Sequence, residues 1–465
     1  DYWEMMRKHP RCIGGFLWVL ADEGVKRVDM DGFIDNQGNF GADGIVGPHH
    51  EKEGSYYTIK QLWSPVQVMN TAIDRNFDGK LSVENRYDYL NLNTCRFIWQ
   101  QVKFPSVTDA SNTTTRILKQ GEVQGSDVAA HGVGVVDIKT SILPEADALF
   151  LTVIDKYGHE LWRWTFPVDK LNRETEQFSA SSGRASYTET EKGITVKANG
   201  RTFVFSKKDG QLKDVSVNNR KISFANGPRF IGARRADRSL DQFYNHDDEK
   251  AKAKDRTYSE FTDAAVFTKL DVKEEGGNLI LTANYKLGNL DKAQWTIHPD
   301  GMATLDYTYN FSGVVDLMGI CFDYPEEQVL SKRWLGAGPY RVWQNRIHGA
   351  QYDIWENDYN DPIPGETFTY PEFKGYFGSV SWMSIRTKEG TISLTNETPD
   401  SYIGVYQPRD GRDRLLYTLP ESGISVLNVI PPVRNKVNST DLCGPSSQPK
   451  WVDGPQTGRL VLRFE

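Results

Sequence analysis

The sequence has few cysteines, no long apolar run and no excess of positive charge. Four cysteines are scattered over 465 residues, which predicts free buried thiols rather than a disulfide framework or a paired-cysteine zinc site. No apolar stretch reaches the roughly 18 residues that a membrane-spanning helix needs. The net charge of −7 argues against nucleic-acid binding, which relies on a basic surface. These absences favour a globular protein with no membrane or nucleic-acid partner.

Aromatic residues are plentiful. Aromatic side chains make up 12% of the sequence, with 12 tryptophans, and large β-sandwiches bury many such rings in their cores. Exposed rings can also stack on sugar faces. At roughly 150 residues per domain, the length predicts about three domains. The sequence begins with Asp1 instead of Met, and we expect it to be a portion of a longer protein.

Residues 1–65 alternate between helices and short buried strands. Helices are predicted for residues 1–9 and 53–63, because Pro10 and Pro65 follow them. The apolar run Arg11–Leu20 and residues 43–46 are predicted to be strands buried on both faces, as in a parallel α/β sheet. Two strands cannot form such a sheet alone. We therefore expect this part to expose apolar surface unless the rest of the sheet packs against it.

The remaining sequence is all-β. Residues 66–172 contain several short strands separated by turns such as Asp78-Gly79, which predicts an immunoglobulin-like sandwich. Residues 173–186 are small and polar, and we interpret them as a linker. Strands continue through residues 187–465, which predicts a large antiparallel β-sandwich.

Two motifs could suggest a metal site, and neither supports one. Residues 74–79 begin like a calcium loop, but position twelve is Asn85 where a bidentate acid is required; a hairpin turn explains the same residues. The triplet His49-His50-Glu51 has no third ligand at a suitable spacing. The sequence therefore predicts no metal ligands.

Trp18 and Asp43 are candidate site residues by position. Trp18 ends the first predicted strand of the α/β part, and Asp43 opens the second. In a (β/α)8 barrel the carboxyl ends of the strands form the active-site face, where a ring could stack on a sugar and a carboxylate could bind its hydroxyls. Alternatively, Trp18 belongs to the barrel core and Asp43 to a turn. Position alone leaves both interpretations open.

Several collinear blocks resemble glycoside hydrolase family 2, the β-galactosidase type. The blocks are Tyr2-Trp3, Pro10-Arg11, residues 14–18 (G-G-F-L-W), residues 43–46 (D-G-I-V), residues 80–90 (K-L-S-V-E-N-R-Y-D-Y-L), residues 333–339 (R-W-L-G-A-G-P), residues 370–372 (Y-P-E) and Gly375. The resemblance implies the last two strands and last helix of a (β/α)8 barrel, followed by an immunoglobulin-like sandwich and a large β-sandwich.

The resemblance also implies where the chemistry takes place. The family cleaves β-glycosides with retention, using one glutamate as acid/base and one as nucleophile. It implies that both glutamates precede Asp1, since Glu4, Glu23, Glu51 and Glu53 do not match the catalytic positions. The chain is therefore expected to contain no catalytic residue and to be inactive alone.

By resemblance, Trp18 lines the sugar subsite, and Asp43 takes a position, usually Asn, that contacts substrate or a bound cation. Trp451 matches, by position only, a tryptophan that reaches the active site in some members. No cofactor is implied beyond a cation near Asp43, and the implied partners are a β-glycoside and the remainder of the barrel. Val19 and residues 234–238 depart from the family pattern, so strict lactose specificity is not expected. A periplasmic or extracellular location is expected for such an enzyme.

Two alternatives remain from the sequence. The chain could be a small subunit that completes a barrel supplied by another chain. It could also be a non-catalytic carbohydrate-binding or scaffolding protein built from β-sandwiches. A partner chain carrying both glutamates would favour the first, and glycan binding without any partner would favour the second.

Overall fold

The computed structural model describes residues 2–35, 44–47, 49–109, 114–168, 183–235, 258–261, 263–358, 375–405, 420, 422–432 and 444–465. Two β-sandwiches account for most of the described residues, and an N-terminal segment, residues 2–65, precedes them. None of the helices described is both long and apolar enough to cross a membrane.

The N-terminal segment contains two helices and one hairpin. The elements are α1 (Tyr2–Lys8), β1 (Val25–Arg27), β2 (Phe33–Asp35) and α2 (Gly54–Leu62). Both helices were predicted within one or two residues. The hairpin was not predicted, because its short strands lie in a polar, glycine-rich stretch. The helices touch through the rings of Trp3 and Trp63, whose centroids are 5.4 Å apart.

The predicted strand over Arg11–Leu20 is wrong. These residues form an irregular extended segment, with Ile13 and Phe16 fully exposed. A strand requires neighbours that pair its backbone groups, and among the described residues only the end of this segment has one. Ala21 and Val46 form a single parallel bridge, and the amide of Val46 donates to the carbonyl of Leu20 over 3.0 Å. The strand predicted for residues 43–46 is reduced to this bridge, and Asp43 lies outside the described residues.

The small sandwich follows. Its strands are β3 (Val66–Val68), β4 (Lys80–Asn85), β5 (Arg96–Lys103), β6 (Arg116–Gln124), β7 (Val133–Asp137), β8 (Ala148–Ile154) and β9 (Glu160–Pro167). They form sheets of order β3-β4-β7 and β6-β5-β8-β9. In β9 the buried residues Trp162, Trp164 and Phe166 alternate with more exposed ones, because successive side chains of a strand point to opposite faces. The short antiparallel strands predicted here are confirmed.

The block at residues 80–90 is structural. Asn85 is fully buried, and its side-chain amide donates to the carbonyls of Leu90, Val128 and Ala129 over 2.8–3.1 Å. Its side-chain oxygen accepts from the amide of Tyr87. One amide therefore joins three backbone segments of the small sandwich.

An ionic network attaches α1 to the small sandwich. Arg86 contacts Glu84 at 2.7 Å and Glu4 of α1 at 3.2 Å, and Arg7 of α1 contacts Glu84 at 3.0 Å. Burial tends to raise the pKa of Glu84, but the two arginines outweigh it and hold the pKa below its ordinary value. The network fixes the start of the N-terminal segment.

The large sandwich contains the remaining strands. They are β10 (Ser186–Glu189), β11 (Gly193–Ala198), β12 (Arg201–Ser206), β13 (Leu212–Val217), β14 (Arg220–Ile222), β15 (Ala225–Arg235), β16 (Tyr258–Glu260), β17 (Val266–Glu275), β18 (Asn278–Lys286), β19 (Leu290–Ile297), β20 (Ala303–Asn310), β21 (Gly313–Val315), β22 (Leu317–Asp323), β23 (Val329–Gly338), β24 (Gln351–Asp358), β25 (Phe377–Gly378), β26 (Trp382–Thr387), β27 (Thr391–Asn396), β28 (Tyr402–Val405), β29 (Ile424–Val429), β30 (Lys450–Val452) and β31 (Pro455–Phe464). The predicted linker ends at β10, and its residues 173–182 lie outside the described residues.

Two extended sheets build this sandwich. One has the order β10-β11-β12-β13-β15-β22-β29-β28-β25, with β14 and β16 as side branches. The other has the order β17-β18-β19-β20-β31-β27-β26-β23-β24, so the last strand in sequence lies in its middle. A single apolar core that includes Phe203, Trp295 and Trp334 lies between them. Mainly antiparallel β structure is confirmed for this part of the chain.

The two sandwiches pack against each other through β9 and β24. Asp353 accepts hydrogen bonds from Thr115 and Arg163 at 2.7 and 3.0 Å. Phe104 meets Tyr352 edge to face at 5.7 Å. Apolar and polar contacts thus join the two sandwiches.

Candidate functional site

The N-terminal segment lies against the large sandwich through helix α2. Thr58 donates to the carbonyl of His348 over 2.7 Å, and Arg346 donates to the hydroxyl of Ser55 over 2.9 Å. These two partners of α2 come from the loop that follows the W-L-G-A-G-P block. The loop therefore helps to position the N-terminal segment, together with the pair of Lys60 in α2 with Glu160 in β9 at 2.8 Å.

A tight turn, residues 343–346, forms the centre of that loop. The amide of Arg346 donates to the carbonyl of Trp343 over 2.9 Å, and the reverse bond is 3.3 Å. Trp343 is buried in an apolar cluster and meets Tyr376 edge to face at 5.6 Å. The buried ring of Trp343 therefore anchors the 343–346 turn in this apolar cluster, and the central residues Gln344 and Asn345 extend from it.

The two central residues of the 343–346 turn bind the segment before β30. The side-chain amide of Gln344 donates to the carbonyls of Ser446 and Gln448 over 2.8 and 2.6 Å. Asn345 donates to the hydroxyl of Ser447 over 3.0 Å. One four-residue turn thus contacts both the N-terminal segment and the approach to Trp451.

Trp451 lies on a two-stranded ribbon, β21 with β30, where it pairs with Val314. Its side chain is 70% exposed. Beyond the strand, Asp453 accepts a hydrogen bond from Ser312. The strand pairing holds the backbone of Trp451 in place, and its exposed ring is available for stacking.

Trp18 is 77% exposed and belongs to an exposed apolar stretch. We call this stretch the N-terminal apolar surface; its residues are Ile13, Phe16, Leu17, Trp18, Leu20, Val25, Val28, Met30 and Phe33. The structure therefore places Trp18 on the surface of the described residues, in the same exposed stretch as Ile13 and Phe16. Asp43, the other predicted sugar contact, lies outside the described residues.

The structure connects Trp18 and Trp451 indirectly. Trp18 lies in the N-terminal segment, which the 343–346 turn binds through Arg346, and Trp451 follows the residues that Gln344 binds. Sequence reasoning missed the turn. The W-L-G-A-G-P block just before it was the available signal, but it gave no indication of which side chains would bridge the two segments.

A buried carboxyl lies beside this junction. Glu53 is 6% exposed, and its pKa is raised to about 8 by burial and by the nearby charges of Asp22 and Glu51, partly offset by Arg346. Asp22 is also buried and accepts a hydrogen bond from the amide of Gly44 over 2.8 Å. Strongly shifted carboxyls of this kind concentrate at functional sites but also occur in structural networks. Glu53 can hold a proton near neutral pH.

The acidic motifs form turns. Asp74 accepts from the amide of Asn76, and Asp78 accepts from the amide of Lys80. Gly79 has a φ of +89°, which suits the turn before β4. Across the described residues, no group of three or more His, Cys, Asp or Glu side chains is arranged to hold a metal ion.

Comparison with known proteins gives a consistent relationship. The family model described as "Beta galactosidase small chain" matches residues 197–426, which lie within the large sandwich. A β-galactosidase of Priestia megaterium (strain DSM 319 / IMG 1521) is 21% identical over 433 residues, covering 86% of this chain and 39% of the relative. A β-galactosidase of Pseudoalteromonas haloplanktis is 20% identical over 410 residues, covering 78% and 37%.

The chain spans about two fifths of the length of these curated relatives. Among solved structures, a galactose 1-epimerase from Lactobacillus acidophilus NCFM covers 61% of this chain and 99% of its own, with a TM-score of 0.33 and 9% identity; a similarity of this size supports no inference. These sequence matches support a relationship between this chain and the β-galactosidase small chain.

Proposed function

We propose that this chain, related to β-galactosidases and similar to their small chain, is the C-terminal portion of a retaining exo-β-glycosidase of glycoside hydrolase family 2. It would supply the end of a (β/α)8 barrel, an immunoglobulin-like sandwich and the large sandwich. The observation that carries the proposal is the N-terminal apolar surface, which is attached to a β-galactosidase-like sandwich and left uncovered by the described residues.

The exposure of this surface favours a missing neighbour. Burying one large apolar side chain contributes roughly 1.5–3 kcal/mol, so covering residues such as Phe16 and Ile13 would stabilise an assembly appreciably. The parallel bridge between Ala21 and Val46 is the pairing expected of adjacent barrel strands. The missing neighbour would therefore be the remainder of a barrel, carried by the same protein or by a partner chain.

The residues of this chain would bind the sugar, and the remainder of the barrel would supply the reacting groups. Trp18 and Trp451 offer exposed indoles on which a sugar ring can stack. Asp43 would bind hydroxyls directly or through a cation. The acid/base and nucleophile glutamates would lie on earlier barrel strands. We place the protein in the periplasm or outside the cell, where terminal β-linked sugars are released from oligosaccharides.

Activity on a nitrophenyl β-galactoside tests the proposal. The 465-residue chain alone should show no turnover, whereas its assembly with the remainder of the barrel should be active. Phe16→Asp should prevent assembly by placing a charge in the apolar contact. Tyr89→Asp, which changes an exposed aromatic residue of the small sandwich, is the matched control and should assemble normally.

Clear turnover by the chain alone, abolished by substituting one of its own glutamates, would refute the proposal. The small-chain family match favours one variant of it, in which the barrel remainder is a separate subunit. Co-purification with a larger chain that carries both glutamates would establish that variant.

A further inference from the structure

We propose that Gln344 is a positioning residue for Trp451. The inference rests on the proposed function, in which Trp451 contacts the sugar. Gln344 is 8% exposed, and its side-chain amide uses both protons on the carbonyls of Ser446 and Gln448. Gln448 is three residues before Trp451, so Gln344 fixes the backbone from which the indole projects.

The position of Gln344 is itself strongly constrained. Its own amide donates to the carbonyl of Pro431 over 3.1 Å, and the 343–346 turn is closed by the bonds between Trp343 and Arg346. Arg346 in turn contacts Ser55 in α2. Arg346 links the 343–346 turn to the N-terminal segment, and Gln344 links the same turn to the residues before the ribbon that carries Trp451. The side chain of Gln344 therefore holds this ribbon in a fixed position relative to the turn.

The other end of the ribbon is held separately. Val314 pairs with Trp451, and Ser312 is bonded to Asp453. With β21 on one side and Gln344 on the other, the backbone of Trp451 has little freedom, while its ring remains exposed. A ring held in place before the ligand arrives loses less conformational entropy on binding. Gln344 thus contributes to sugar affinity without touching the sugar.

Gln344→Met tests the inference in the assembled enzyme. Methionine keeps the length of the side chain but removes both donors, so the hydrogen bonds from Gln344 to the carbonyls of Ser446 and Gln448 are lost. We expect the Kd for a non-hydrolysable thiogalactoside and the KM for the nitrophenyl glycoside to rise about tenfold, the equivalent of one net hydrogen bond, while kcat changes by less than about twofold. The amides of residues 446–452 should exchange their hydrogens faster.

A double-mutant cycle with Trp451→Ala separates positioning from general destabilisation. If Gln344 acts through Trp451, Gln344→Met should not weaken thiogalactoside binding further once the indole is gone. Gln101→Met is the matched control: Gln101 is buried in the small sandwich and donates to the carbonyl of Ser141. It should lower stability and leave sugar affinity unchanged.

The outcomes separate this inference from the proposed function. Unchanged exchange of residues 446–452 in Gln344→Met, or effects that simply add in the cycle, would overturn the positioning role while the glycosidase proposal stands. If Trp451→Ala binds the thiogalactoside as well as the parent protein does, Trp451 is not a sugar contact and the positioning role is also refuted. Failure of the proposed function itself would appear as absence of turnover in the assembled protein.

Discussion

The buried carboxyl of Glu53 makes the attachment of the N-terminal segment dependent on pH. Glu53 precedes α2 and is 6% exposed, and one of its oxygens has no hydrogen-bond partner among the residues that the structure describes. Its pKa rises from an ordinary 4.5 to about 8. The native structure therefore holds a proton on Glu53 at pH values where the unfolded or undocked segment has released it.

The sign and size of the effect follow from this difference. Below about pH 4.5 both states are protonated, and above about pH 8 both are ionised, so stability is level outside this window. Within the window the docked state binds more protons, and its free energy of opening falls by about 1.4 kcal/mol per pH unit. One pKa unit corresponds to about 1.4 kcal/mol, so the whole shift gives an upper bound of about 5 kcal/mol.

Glu53→Gln should remove this dependence. Glutamine has the same shape and remains neutral, so the opening free energy of α2 should become level between about pH 5 and pH 8.5 and should exceed that of the parent protein at the alkaline end. Hydrogen exchange of residues 54–62, corrected for the intrinsic pH dependence of exchange, measures it. Glu51→Gln removes a neighbouring charge that raises the pKa of Glu53, and should lower the upper end of the window while its lower end stays near pH 4.5.

Two results would refute the reasoning. One is a level pH profile for α2 in the parent protein, which would mean that Glu53 is ionised in the docked state. The other is an unchanged slope in Glu53→Gln, which would assign the pH dependence to a different group. A pH profile of Glu53→Gln that is displaced to higher or lower free energy but keeps the slope of the parent protein would also contradict the assignment to Glu53.

Three further substitutions test the structural roles of the recognised blocks. Asn85→Ala should destabilise the small sandwich by about 1–3 kcal/mol, because it removes the hydrogen bonds to the Leu90 carbonyl and the Tyr87 amide; urea denaturation measures this. Arg86→Met should remove the ion pair with Glu4 of α1 at a cost of about 1 kcal/mol, seen as faster proteolysis near residue 8 with the sandwiches intact. Gly338→Ala should cost about 1–3 kcal/mol through overpacking, since its new Cβ would collide with the ring of Trp355; a thermal midpoint equal to that of the parent would show that the ring can move aside.

Local sequence patterns predicted a helix or strand correctly where the residues of that element alone determine it. The helix α2 ends before a proline, and β12, Arg201–Ser206, lies in the part of the chain predicted to be antiparallel β. The segment 11–20 could not be predicted in this way. Its continuous apolar run is typical of a strand buried on both faces, but whether it becomes a strand depends on neighbours that local sequence does not contain.

The candidate site likewise contains residues that the sequence marks and residues that only the folded chain reveals. Trp18 and Trp451 are 433 residues apart in the sequence, and the side chain of Gln344 binds the segment before Trp451 through two backbone carbonyls 102 and 104 residues away. Backbone acceptors are present at every residue, so no sequence pattern marks them. The shifted pKa of Glu53 arises from burial and from the charge of Asp22, which only the folded chain brings near.

The position of β31 affects how the protein can be synthesised. In the nine-stranded sheet, β31 pairs with β20 on one side and β27 on the other. Its register joins Ala303 to Leu462, and Leu462 in turn to Leu394. Before β31 has left the ribosome, the nine-stranded sheet consists of two separate parts. Each part then has an unpaired apolar edge, at β20 or at β27, that is open to other chains. Ribosome pausing shortly before residue 455 should therefore be a point at which aggregation or chaperone binding is greatest.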